Sequence, residues 1–330
     1  MEHPEGAPLF WMGGRLATEL VELSNDPSCL EDGGFWAVST TFEGTFTAAK
    51  FAHVVDAPFP EGTWSPVLSE WESDPNKEQY IDYVDRIRDH ISQGWVYQVN
   101  ACRQLSAQDS NTNLRGLFSQ ILKNNPAPWA SYLEIPNLNI ASASPELFLK
   151  RTGKRIKTSP IKGTAPLGIE IFGDKDQSEN IMIVDLMRND FGMICTNGSV
   201  EVSRLLSTET HPGLQHLVSD VEGELKDGII WEDIFEAISP PGSVSGAPKS
   251  SALSVIRENE KPRGPYCGAL GWVQKDRAEL SVAIRVFWKD SKIRFGTGAG
   301  ITFSSDSLQE WEETQLKASR LMKIAKGEKQ

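Results

Sequence analysis

No stretch of this 330-residue chain stays apolar for the roughly 20 residues that a membrane-spanning helix requires. Its first ten residues, MEHPEGAPLF, lack the basic and apolar regions of a secretory signal, so the expectation is a cytoplasmic protein with no membrane partner. Cysteine is scarce. Cys29, Cys102, Cys195 and Cys267 are scattered, with no CxxC pair, and read as reduced thiols rather than zinc ligands. The five histidines show no metal-type spacing either. Positive charge is in deficit: 33 Lys and Arg face 45 Asp and Glu, a net charge of −12. That argues against nucleic acid as a partner, while a local basic pocket for a small anion remains open. Repeats, low-complexity tracts and long Pro/Gly/Ser linkers are missing too. What is present is a globular composition, 39% hydrophobic and 24% charged, on a chain long enough for a substantial core.

Short β-rich runs fill residues 1–75. Residues 73–94 read as a helix started by Asp74 and Pro75, with Tyr80, Val84, Ile87 and Ile91 on one face and Gly94 at its end. Further helices are expected in NLRGLFSQILKNNP, in SENIMIVDLMRNDFG (178–192, from Ser178 to Gly192), and in IIWEDIFEAIS. Two more follow, in GAPKSSALSVIRENE with Pro248 near its first turn, and in SDSLQEWEETQLKASRLMKIAK. Strands come in runs between single helices, with turns at Pro136-Asn137 and Thr152-Gly153. That pattern predicts an α+β protein with large, mostly antiparallel sheets and outer helices, not a regular βαβ alternation.

Several residues carry chemistry and also admit a plain structural reading. Glu310, Glu313 and Lys317 share a face of the last helix, as a surface ion pair or as a cation site beside an anion-binding amine. Glu179 lies on a stripe with Met182 and Leu186, either as a dipole partner of its helix or as a second carboxylate for Mg²⁺. GTGAG (296–300) is not the dinucleotide fingerprint, because a strand and not a helix surrounds it; its glycines would let backbone approach a ligand. GAPKS (246–250) is not a phosphate loop, yet it could hold Lys249 near an anion. His216 in a strand is a structural residue or a catalyst. Arg285 and Glu146, each beside apolar runs, need partners from the protein or from a ligand. In KTSPIKGTAP, Lys162 stands just before a glycine, as a solvated charge or as an amine aimed into a pocket.

Taken together, YQVN (97–100), SPELFL (144–149), PIKGT (160–164), ENIMIVDLMRND (179–190), GLQHLVSDVEGEL (213–225), PPGSVSGAPK (240–249), RGPYCGALGW (263–272), AIR (283–285), GAGI (298–301) and EWEET (310–314) resemble the chorismate-utilising enzymes. That group includes the anthranilate, aminodeoxychorismate, isochorismate and salicylate synthases. The resemblance runs from about Tyr97 to Ala325. It implies a large two-sheet α/β sandwich with outer helices, in one chorismate-binding domain over residues 1–330. Within it, residues 1–75 would form a shortened N-terminal portion and residues from about 76 to 326 the motif-bearing core.

The resemblance also implies roles. PIKGT is the form found in aminodeoxychorismate synthase members, where anthranilate synthase members read PIAGT. Lys162 would attack C2 of chorismate and expel the C4 hydroxyl; ammonia would then add at C4 and expel the lysine. Glu146 would transfer the protons, and His216 would lie near the ring. Glu179 and Glu313 would hold Mg²⁺, with Glu310 acting through water. Gly163, Thr164, Tyr266, Arg285, Gly298, Ala299, Gly300 and Lys317 would bind substrate, Arg285 through the enolpyruvyl carboxylate. Gln98 stands where water-using relatives carry a lysine, which implies that water is not the nucleophile. The tryptophan-site element of several relatives is not recognisable, and Ser159 replaces their Arg or Gln. No glutaminase motif is seen, so ammonia would come free or from a glutamine amidotransferase subunit. The expected product is 4-amino-4-deoxychorismate, on the way to 4-aminobenzoate and folate.

Overall fold

The computed structural model describes residues 3–108, 112–166, 173–211 and 214–328. The N-terminal strands are β1 (Leu9–Met12), β2 (Arg15–Ser24), β3 (Phe35–Thr40), β4 (Phe46–Asp56) and β5 (Glu72–Asp74). Helix α1 (Lys77–Ser92), β6 (Gln98–Ala107) and α2 (Leu114–Asn124) follow. Next come β7 (Trp129–Ile135), β8 (Leu138–Ser144), β9 (Leu147–Thr152), β10 (Arg155–Ser159) and β11 (Ile161–Pro166). Helix α3 (Asp174–Ile194) leads to β12 (Glu201–His211), β13 (Leu214–Glu224) and α4 (Trp231–Ile238). The C-terminal elements are β14 (Gly246–Ala247), α5 (Lys249–Asn259), β15 (Ala269–Gln274), β16 (Arg277–Val282), β17 (Val286–Lys289), β18 (Ile293–Ile301) and α6 (Ser307–Lys326).

Every strand pairing among these elements is antiparallel. The ladder runs β5–β6–β18–β17–β8–β7–β1–β2–β4–β3–β15–β16–β9–β10–β13–β12 without a break, and β11 prolongs β10 along β13. The expected layers are therefore two halves of one hydrogen-bonded ladder, joined through β1 and β2. Apolar residues from both halves, Val99 and Ala101 with Trp36 and Leu270, meet in one core. A second core lies where Leu117 and Phe118 of α2 and Leu321 of α6 cover Tyr132, Phe287 and Phe295. Each buried Leu or Phe side chain contributes about 1.5–3 kcal/mol.

Two helix boundaries differ from the sequence expectation. Asp74 ends β5 instead of opening α1. Asn76 caps that helix, accepting from the Gln79 amide at 3.0 Å while the Gln79 side chain accepts from the Asn76 amide at 3.0 Å. This reciprocal cap satisfies two orphan donors, which Asp74 and Pro75 together cannot do. Helix α3 begins at Asp174, a turn before Ser178, and passes through Gly192 to Ile194. Burial of Phe191 and Ile194 outweighs the roughly 1 kcal/mol glycine penalty.

Two buried arginines set the elements that carry the site. Arg103 donates from Nε to Thr314 Oγ1 at 2.8 Å and stacks 4.2 Å over the Trp311 ring, locking α6 onto β6. Arg263 donates to Glu260 Oε2 at 2.7 Å, to the Val244 carbonyl at 2.8 Å and to the Asn100 carbonyl at 2.7 Å. It thereby fixes the RGPY loop against β6, and with it Tyr266. Bidentate, charge-assisted bonds of this kind fix geometry as well as adding energy.

Candidate active site

Side chains alternate along a strand, so Gly296, Gly298 and Gly300 of β18 present one bare face. A Cβ on Gly296 would lie 2.1 Å from Cγ of the Tyr266 ring, and one on Gly298 would lie 3.2 Å from the Tyr266 hydroxyl. At Gly300 it would meet Gln98 Nε2 at 2.5 Å, Glu179 Oε2 at 3.3 Å and Lys162 Nζ at 3.5 Å. An amine, a carboxylate and an amide thus converge where the strand has no side chain. Ala299 is fully buried and, by strand alternation, faces the other way, so only its backbone can serve a ligand here.

This geometry predicts a contrast between two glycine substitutions. Gly300→Ala touches only the ends of flexible side chains, so its Tm should change little. It displaces Lys162 and Glu179, so kcat/KM should fall about 10- to 100-fold. Gly268→Ala meets the Thr40 carbonyl oxygen at 1.9 Å, a backbone atom that cannot step aside. It should cost about 3 kcal/mol in a denaturant melt. A Gly300→Ala protein that keeps full activity would contradict the placement of the site.

The fold explains why a glycine follows Lys162. Strand β11 pairs with β13 as Ile161 opposite Val218, then as Thr164 opposite His216. One residue is extra, and Gly163 takes a φ of +84° in the resulting bulge. Bulges re-aim side chains, and only glycine adopts such a φ without strain. The Lys162 amine is held below the ordinary lysine range, chiefly by burial and also by the Lys317 charge, against the pull of Glu179, Glu146 and Glu313.

Glu146 sits at the corner between β8 and β9 and is buried. Its amide donates to Ser144 Oγ at 3.2 Å, and that hydroxyl donates to the Val282 carbonyl at 2.6 Å. Burial pushes the carboxyl up to about 7, although Ser243, the Lys162 charge and the Ile161 amide all favour its anion.

Glu179 is the sixth residue of α3, beyond the first turn where a helix dipole acts, so the dipole reading does not hold. Its Oε2 accepts from Gln98 Nε2 at 3.1 Å. Burial raises its pKa against the lysines Lys162 and Lys175. Glu313 pairs with Lys317 at 2.6 Å, and Lys317 Nζ also donates to the Gly298 carbonyl at 3.1 Å. Burial pushes Glu313 up as well, but Lys317 wins and its carboxyl lies below the usual range. Glu310 is buried; its Oε1 accepts from Ser305 Oγ at 2.6 Å and from Lys175 Nζ at 3.1 Å. Its Oε2 has no partner among the described residues.

Arg285 takes a positive φ of 51°, and burial together with the Arg320 charge brings its guanidinium down to about 10. Among the described residues no carboxylate pairs with it, so an incoming anion would meet a desolvated cation. Its carbonyl accepts from the Ala143 amide, while Ala283 accepts from the Cys267 amide and donates to the Gly268 carbonyl, both next to Tyr266. Arg285 therefore lies between that loop and the end of β8. His216 is buried on β13, opposite Thr164 and Glu209. Of Thr164 only the backbone position is described. Lys249 does lie near an anion, and that anion is the protein's own: Asp190 of α3, at 2.6 Å, so Lys249 ties α5 to α3.

The residues brought together are Lys162, Glu146, Glu179, Glu313, Lys317, Gly298, Gly300 and Tyr266. Sequence reasoning missed Lys175 and Asp176, whose charges act on the same carboxylates, and Ser243 beside Glu146. Lys175 stands four residues before Glu179, a helical spacing that shows as a signal only once α3 is known to begin at Asp174. The donors at the carboxylates are hard oxygens, and Glu310 Oε2 is a buried oxygen in want of a partner. No three His, Cys, Asp or Glu side chains among the described residues form a ready-made metal cage. A cation that takes few protein ligands and keeps its waters fits such a set.

No helix among the described residues is long and apolar enough to cross a membrane, and all four cysteines are free. The family model described as chorismate binding enzyme matches residues 43–323. An anthranilate synthase component 1 of Haloarcula marismortui is 37% identical over 266 residues, covering 76% of this chain and 54% of its own. The aminodeoxychorismate synthase component 1 of Escherichia coli is 34% identical over 271 residues, covering 78% of this chain and 60% of its own. The chain thus spans little more than half the length of the curated relatives it matches. The crystal structure of anthranilate synthase component I from Streptococcus pneumoniae shares the fold at a TM-score of 0.79 and 21% identity, over 98% of this chain and 91% of that one. The family match, and relatives more than 30% identical over three quarters of the chain, lead to one conclusion: this protein belongs to the chorismate binding enzyme family.

Proposed function

We propose that the protein aminates chorismate at C4, in the manner of an aminodeoxychorismate synthase component I. The observation that carries this reading is the Lys162 amine, desolvated and set beside Glu179 over the bare face at Gly300. An exposed lysine stays protonated at neutral pH; a depressed pKa frees its lone pair. Lys162 Nζ bonds to ring C2, the ring double bonds shift, and the C4–O bond breaks. Glu146 takes the proton from the lysine and gives one to the departing hydroxyl, a task suited to a carboxyl near 7. Ammonia then bonds to C4 and the C2–N bond breaks, returning Lys162. Arg285 would take the enolpyruvyl carboxylate. His216, Gly163, Thr164, Tyr266 and the Gly298–Gly300 backbone would line the ring.

Glu179 and Glu313 would hold Mg²⁺, with Glu310 reaching it through water. The bound ion would hold the ring carboxylate and stabilise charge that develops during substitution. Glu313→Gln removes one of these charges while leaving the shape. Its Mg²⁺ titration of activity should shift upward by at least about tenfold, with turnover reduced; a superimposable titration removes Glu313 from the metal site.

The second reading is anthranilate synthesis, which the name of the Haloarcula relative favours. Incubation with chorismate, Mg²⁺ and ammonium, with and without an aminodeoxychorismate lyase, separates the two. 4-Aminobenzoate that appears only with the lyase supports C4 amination, and anthranilate refutes it. A glutamine amidotransferase subunit as the ammonia source would show as glutamine-dependent turnover on its addition. Binding of chorismate without turnover, even then, would point to a non-catalytic member of the family.

A further inference from the structure

Lys175 is a lysine placed where a metal's charge would be useful. It lies one turn before Glu179 on α3, and Glu310 lies three residues before Glu313 on α6. Its Nζ is 3.1 Å from Glu310 Oε1, the oxygen that also accepts from Ser305. Its charge acts on Glu179 and Glu313 as well, so one ammonium serves the three glutamates of the cluster. The other two lysines differ in kind. Lys317 is held twice, by Glu313 and by the Gly298 carbonyl, and Lys162 lies in the bulge over the bare strand face. Among the described residues Lys175 is held by Glu310 alone, and its side chain is 44% exposed while that of Glu310 is 4% exposed. The lysine has solvent to move into; the glutamate does not.

We propose that Lys175 and the divalent cation compete for the same carboxylates, the lysine balancing their charge until the cation displaces it toward solvent. This rests on the metal reading given above. Two cations on one buried carboxylate repel strongly, because the low dielectric that strengthens each attraction strengthens the repulsion too. Displacement also frees Glu310 Oε1 to join Oε2, the buried oxygen that has no partner among the described residues. Lys175 thus acts as a positioning residue: it holds Glu310 and balances the cluster's charge in the metal-free protein, and it lowers the cation's apparent affinity.

The test is Mg²⁺ binding by calorimetry on the purified full chain, without chorismate. Lys175→Met should bind Mg²⁺ about 3- to 30-fold more tightly than wild type, while Lys175→Arg should bind no more tightly. Equal or weaker binding by a folded Lys175→Met protein overturns the proposal. Amine acetylation of the wild-type protein, followed residue by residue by mass spectrometry, gives a readout that needs no variant. Lys175 should be modified faster when Mg²⁺ is added; an unchanged or slower rate also overturns the proposal. Wild-type protein that binds no Mg²⁺ at all overturns the metal reading together with this one. Binding that Glu313→Gln abolishes and Lys175→Met leaves unchanged removes the competition alone.

Discussion

On the proposed C4 amination, Lys162→Ala should lose 4-amino-4-deoxychorismate formation by at least about a thousandfold, because of the three atoms nearest a Cβ at Gly300 only Lys162 Nζ is an amine. Gln98 and Glu179 share that face, and neither an amide nor a carboxylate attacks an alkene carbon under these conditions. Stability should hold. The substitution deletes a desolvated amine, and a buried cation contributes to folding only through its partners. Those partners, Glu146 and Glu179, already have raised pKa values and can respond by taking up a proton. Alanine also recreates PIAGT, the form of anthranilate-forming relatives. With C2 open, ammonia can attack there, and a trace of anthranilate should appear.

The stronger form of the test is direct. Chorismate without ammonia should leave the wild-type chain carrying a covalent adduct on a Lys162 peptide, visible by intact mass and digestion. The alanine protein should carry none. An adduct on any other lysine, or full product formation by Lys162→Ala, ends the covalent reading.

Much of this was legible in the sequence, because the residues concerned are set by local rules. The spacing of EWEET and its lysine placed Glu310, Glu313 and Lys317 on one face of a helix, and that face is found. The strand nature of GTGAG followed from the ITF after it. What could not be read was which long-range neighbours those faces meet. The β11 bulge that turns Lys162 inward depends on the register with β13, some fifty residues away, and nothing local announces it. Which anion Lys249 meets could not be read either, because Asp190 is distant in sequence. Lys175 was missed because α3 starts a turn before Ser178, which hid its spacing from Glu179. Capping failed in the same way at Asp74, which pairs with Gln104 as part of β5 and leaves the cap to Asn76.

The second large effect belongs to Glu146. Glu146→Gln keeps the shape but cannot donate or accept the proton, so adduct formation should slow by about 10²–10⁴-fold. The pH profile gives the more specific check. Breaking the C4–O bond needs Glu146 protonated, so the wild-type rate of adduct formation should fall as pH rises through about 7. Measuring adduct formation rather than turnover keeps the titration of ammonia out of the profile. The residual rate of Glu146→Gln should lack that limb, and an unchanged limb would falsify the assignment of the proton to Glu146. Stability must follow the same group. The folded pKa is raised above an unfolded value near 4.5, so the folded state binds the proton more tightly. Its contribution is therefore complete below about pH 4.5 and is lost as pH rises through about 7. The full difference is on the order of 3 kcal/mol. Glutamine cannot ionise, so the variant should gain on wild type between pH 5 and 8 in parallel denaturant melts. A gap that stays constant across that range would mean that Glu146 ionises in the folded protein no differently from an exposed carboxylate, and its fitness as the proton carrier would go with it.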